Sequence, residues 1–102
     1  MSTVDLGEDL GIETSTELKN RLAPLLAQAG PLTLDASQVG RIHTASVQVL
    51  CAFVQDRRTA GRSTAFSGCT ALFTDAARLL GVSQVLGLDV PNDNLNSVEN
   101  AA

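Results

Sequence analysis

The amino-acid sequence predicts a single small α/β domain built on an open sheet with parallel strands. Three observations carry this. Short strand-like runs, Pro31–Ala36 and Ser63–Ser67, are each closed by polar or Gly punctuation. The stretch between them has helical spacing and is long enough for a right-handed crossover between parallel strands. The 102 residues, 44% of them apolar, suffice for one core and not for two. That core must be aliphatic, since the chain holds three Phe and neither Trp nor Tyr.

Taken in order, Thr3–Ile12 alternates Val4, Leu6, Leu10 and Ile12 with polar neighbours and is broken by Gly7 and Gly11. One short strand or two fragments follow. Thr14-Ser15-Thr16-Glu17 has the spacing of a capping box. Leu18, Leu22, Leu25, Leu26 and Ala29 then continue a first helix, bent by Pro24 and stopped at Gly30-Pro31. After the strand Pro31–Ala36, residues Ser37–His43 are expected as loop. A second helix is expected from about Thr44 to Ala60, ended by Gly61. The strand Ser63–Ser67 closes at Gly68. A third helix, Thr70–Leu80, is expected to turn Ala71, Leu72, Ala76, Leu79 and Leu80 inward. One more turn, capped by Ser83, reaches Leu86. Residues 1–88 thus form the expected domain. From Asp89 the composition turns to Asn, Asp, Ser and Glu, and residues 89–102 are expected as a disordered polar tail.

The net charge of −4 opposes binding to nucleic-acid phosphates. Arg57, Arg58 and Arg62 are expected on a solvated helix end. Cys51 and Cys69 are not in CxxC spacing, and the first residues lack a basic start and apolar core. A cytoplasmic protein with reduced thiols and no membrane insertion is expected.

In a parallel α/β unit, binding groups gather at the carboxyl edge of the strands. Two loops share that edge and place Asp35, His43, Thr44, Ser46, Gly68, Cys69 and Thr70 on one rim. Thr44 stands at the N-cap or first turn of the second helix, where unpaired amides and the helix dipole favour an anion. That helix is apolar on more than one side. Val47, Leu50, Cys51 and Val54 form the core stripe. Val49, Ala52 and Phe53 lie off it, so Val49, Phe53 and Asp56 are candidates to touch another protein. Catalytic chemistry is not expected. His43 is the single histidine, no zinc-ligand spacing is present, and Gly68-Cys69-Thr70 lacks the glycine run and Lys of a phosphate loop. No cofactor and no metal are expected.

The run Pro31-Leu32-Thr33-Leu34-Asp35-Ala36-Ser37-Gln38-Val39-Gly40-Arg41-Ile42-His43-Thr44-Ala45-Ser46-Val47 resembles the signature of the STAS family. Leu10–Leu18 resembles the family's strand-to-helix junction upstream, and Gly61–Gly68 its next strand and rim loop. His43 stands where the signature has Asp, and Ser46 where it has Gly. The resemblance implies a STAS-like domain with a mixed, mostly parallel sheet flanked by helices. It further implies a non-catalytic switch of the anti-sigma-factor antagonist kind, whose partner is an anti-sigma factor or kinase-like protein. Phosphorylation would fall at Thr44 or Ser46. Asp35, His43, Thr44, Ser46, Val49, Phe53, Gly68 and Cys69 would face the partner. The family also includes a STAS subunit that docks on the ATPase of a lipid-asymmetry ABC transporter. A nucleotide or small-ligand binder using the rim between Asp35 and Cys69 is the third reading.

Overall fold

The computed structural model describes residues 2–88. Strands β1 (Ser2–Asp5) and β2 (Asp9–Leu10) precede a 3-10 turn at Ile12–Thr14 and helix α1 (Ser15–Leu22). Strands β3 (Leu32–Asp35) and β4 (Arg41–Ile42) lead into helix α2 (Thr44–Thr59). Strand β5 (Thr64–Ser67) and helix α3 (Ala71–Leu79) follow. The polar tail expected from Asp89 lies outside the described residues.

The central sheet has the order β1-β3-β5, with both pairings parallel. Val4, Leu34 and Phe66 are in register across it. Leu32 and Leu34 are buried while Thr33 and Asp35 are half-buried, the period of two that places alternate side chains on opposite faces. The face carrying Val4, Leu34 and Phe66 meets the helices. Thr3, Asp5, Ala65 and Ser67 on the other face are exposed. Each fully buried leucine of this core, Leu34 and Leu50 among them, contributes about 1.5–3 kcal/mol of transfer free energy.

A second pair, β2 with β4, is also parallel and matches Leu10 to Ile42. The backbone of Leu6 donates to the Asp35 carbonyl at 3.0 Å, and that of His43 to Leu10 at 2.9 Å. The β1/β3 ladder therefore resumes beyond two loops and ends beneath the start of α2. Sequence patterning assigns Ser37–His43 to loop. Two residues are too few to show alternation, and Arg41-Ile42 are a strand only because Glu8 and Leu10 present backbone partners there.

The capping box expected at Thr14–Glu17 does not form. Thr14 is already part of a 3-10 turn, with φ −99° and ψ 0°. Its hydroxyl points back and donates to the carbonyls of Asp9 and Gly11 at 3.1 and 3.0 Å. Pro24 acts more sharply than a bend: α1 ends at Leu22, and Ala23–Ala27 continues as a 3-10 helix. A ring without an N–H cannot carry the α ladder onward.

The inward face of α3 is corrected. Phe73 and Ala77 are buried, and Phe73 sits 5.4 Å from the Phe66 ring, centroid to centroid. Leu79 is 82% exposed, and Leu72 and Leu80 are also exposed. The helix carries two apolar stripes, and the one bearing the aromatic turns inward.

Arg57 is the second correction. Far from being solvated, it is completely buried among the largest core side chains. Its Nε donates to Thr64 Oγ1 at 2.7 Å. Nη1 donates to the carbonyls of Leu25 and Gln28, and Nη2 to those of Gly30 and Ser63, at 2.8–2.9 Å. All five N–H donors of the guanidinium are used. Burial, and then the nearby Arg62, lower its proton affinity. Arg58 is exposed and donates to the Val85 carbonyl at 2.9 Å.

Candidate functional site

Strand β4 delivers His43 in extended backbone, φ −124° and ψ 152°, as the N-cap of α2. The imidazole Nδ1 accepts from the Ala45 N–H at 3.0 Å. The His43 carbonyl accepts from Ser46 and Val47 at 3.0 and 3.2 Å. The three amides after Thr44 are thereby engaged, contrary to the expectation that they stand open for an anion. Thr44 occupies the first helical position. It is exposed, and its hydroxyl makes no hydrogen bond among the described residues.

Ser46, expected on the rim, points inward. It is completely buried and its hydroxyl donates to the Gly11 carbonyl at 3.3 Å. A buried hydroxyl offers nothing to a kinase or a partner surface. Gly11 itself is confined: a Cβ there would sit 2.9 Å from Asp9 Oδ1 and 3.1 Å from Arg41 Nε. Arg41 lies over this turn, 3.8 Å from Asp9 and 3.5 Å from Glu13. Both pairs are exposed and weak. They frame the tip of α2 with fixed charge on the side of Gly11.

The second rim loop is closed against the first. Gly68 has φ +61°, and a Cβ on it would fall 2.8 Å from Ser37 Cβ and 3.7 Å from Asp35 Oδ1. The Asp35 carboxylate accepts from the Ser37 N–H at 2.9 Å. Hydrogen bonding by Ser37 holds it below the ordinary carboxylate value. Thr70 caps α3, its hydroxyl accepting from Phe73 N–H at 3.2 Å and donating to the Val39 carbonyl at 2.8 Å. Cys69 is half-buried, and burial, with the Asp35 charge, pushes its thiol up. A thiol kept protonated is a poor nucleophile, and His43 Nδ1 is occupied on the helix. Asp35, Gly68, Cys69 and Thr70 do share one rim, as parallel topology requires, but the two loops interlock there. Among the described residues no three His, Cys, Asp or Glu side chains come together as a metal site.

The apolar surface beside the tip differs from expectation in one residue. Val49 is half-buried and Ala52 exposed, whereas Phe53 is buried, with the Arg57 guanidinium carbon 6.0 Å from its ring centroid. Phe53 forms the floor of a groove of about 340 Å³ between α2 and α1 with its 3-10 extension. Leu22, Ala23 and Leu26 line the far wall, and Lys19 and Asp56 stand at its edges. Sequence reading finds Val49, Phe53 and Asp56 but misses the α1 wall. Leu22 and Leu26 look like ordinary core, and the small residues Ala45 and Ala52, two turns apart on one face of α2, are the one local signal of an opening. Among the described residues no helix is long and apolar enough to cross a membrane.

The family model described as Mlab, STAS domain matches residues 1–88 of this chain. No curated protein matches it.

Proposed function

The chain belongs to the STAS domain family, and on that premise we propose that it is a non-catalytic regulatory module that docks on a partner protein through the start of α2, under control of Thr44. STAS domains are in general regulatory or binding modules. The single observation that supports the control point is the division of labour at the helix start. His43 performs the capping, so Thr44 is not held by a structural task, and its hydroxyl is exposed and unengaged. A phosphoryl group on Thr44 adds about −1.5 to −2 charges. With the next three amides already bonded to His43, that charge faces outward into any docked surface. Burying it there without a partner cation is strongly unfavourable. The unmodified form binds an anti-sigma-factor-like or kinase-like protein in the cytoplasm, and the phosphorylated form releases it.

A second reading is favoured by the description of the matching family model. In it the same surface docks permanently on the ATPase of a lipid-asymmetry ABC transporter, and Thr44 is a contact that needs no modification. Affinity purification of the full chain with mass spectrometry tests both. Under the switch reading, Thr44→Glu loses the partner that wild type and Thr44→Ala retain, and a phosphothreonine at position 44 is found in the released pool. An unchanged partner on Thr44→Glu overturns the switch. A transporter ATPase retained through kinase as well as phosphatase treatment establishes the second reading instead.

A further inference from the structure

We infer that the groove between α1 and α2 seats an amphipathic helix of the partner protein, an inference that rests on the docking reading above. Three features of the groove select this occupant. Its walls are helices whose backbone groups are already paired, so an extended peptide would bring unpaired amides into an apolar trough. A helix satisfies its own backbone and presents only side chains. From Ala45 to Asp56 the α2 wall runs about 16 Å at 1.5 Å per residue, room for a three-turn helix with anchors at i, i+3 or i+4, and i+7.

The third feature is charge. Lys19 stands on the α1 edge and Asp56 on the α2 edge, both exposed. Neither makes a salt bridge among the described residues. An occupant with an acidic flank toward α1 and a basic flank toward α2 pairs both, and reversing its direction would set like charges together. The edges therefore select orientation as well as composition. A small apolar ligand fits less well. Its polar lining is Lys19, Gln48 and Asp56, and neither the Phe53 floor nor the Leu22 wall carries a polar side-chain group to orient one. The other exposed apolar face, Leu72 and Leu79 on α3, has its charged neighbours Asp75 and Arg78 paired with each other at 2.9 Å and does not enter the proposal.

The test uses the full chain as bait and a display library of helical peptides as probe. Enriched binders are expected to carry the apolar i, i+3/i+4, i+7 row with one acidic and one basic flank. Ala52→Arg, an exposed change that blocks the trough without touching the core, should weaken them at least tenfold. Lys19→Glu should weaken them several-fold, and binders remade with a basic residue on that flank should recover. Absence of any enriched helical binder overturns the inference. So does binding that survives Ala52→Arg or is lost with Leu79→Glu, which would place the helix, or a second copy of the chain, on α3. The docking reading is separated by the purification above. A partner lost with Thr44→Glu but kept with Ala52→Arg leaves docking standing and removes the groove from it. A partner kept by both variants removes the switch and the groove together.

Discussion

The two ends of α2 are built in opposite ways. At the carboxyl end, Arg57 spends every donor on four carbonyls and a hydroxyl drawn from the 3-10 segment, Gly30 and the start of β5. Nothing is left over for another molecule. At the amino end, His43 takes the amides of the first turn and leaves the adjacent Thr44 hydroxyl free in solvent. One end is a closed polar network that holds three segments together, and the other is an open surface. The lesson is that charge in the sequence does not mark which polar groups of this helix are left free. The buried cation is architecture, and the uncharged, unengaged threonine is the accessible group.

The largest expected effect breaks the closed end. Arg57→Ala leaves four part-buried carbonyls without their donor and should cost about 3 kcal/mol in denaturant unfolding. For a domain of this size, each kcal/mol lowers Tm by about 4–8 °C. Arg57→Lys should recover little, because an ammonium has three donors and no planar fork. A variant as stable as wild type would mean that the network is not formed.

The next experiment sharpens the assignment at the open end. His43→Ala removes the cap and should destabilise by about 1 kcal/mol. Thr44→Ala removes a hydroxyl that bonds to nothing and should stay within about 0.5 kcal/mol of wild type. If the two costs are reversed, Thr44 is the cap and loses its standing as a free group.

The smallest expected effect is a pH dependence at the rim. The Asp35 carboxyl lies below its ordinary value of 3.8 through its bonds to Ser37. A lowered acid stabilises the folded state in its charged form. Its contribution is full above pH 3.8 and is lost as pH falls below that value through the folded one. Asp35→Asn should flatten that acid limb in thermal melts without altering stability at neutral pH by more than the loss of the turn contact. An unchanged acid limb would show that the Ser37 contact is absent in solution.

The amino acids on α2 also explain what was legible. Its buried row is Ser46, Leu50, Phe53 and Arg57, with Val47 and Val54 alongside. The spacing is helical and was present in the sequence. Its two polar ends disguise it, and the apolar stripe through Val47, Leu50, Cys51 and Val54 accounts for a core-facing helix without them. Local spacing thus assigns Ser46 and Phe53 outward and Arg57 to solvent. In α3 two stripes compete, and local spacing cannot say which one meets Phe66.

By itself the sequence determined the order of the helices and of the longer strands, though not β4, their approximate limits at Gly30, Gly61 and Gly68, and the family. Those are properties of neighbouring residues: periodicity, turn chemistry and a contiguous motif. Only the tertiary structure decided which polar groups are consumed. The acceptors of Arg57 lie at positions 25, 28, 30, 63 and 64, and that of Ser46 at position 11. A hydrogen bond is satisfied by what comes near in space, and no local pattern carries that distance.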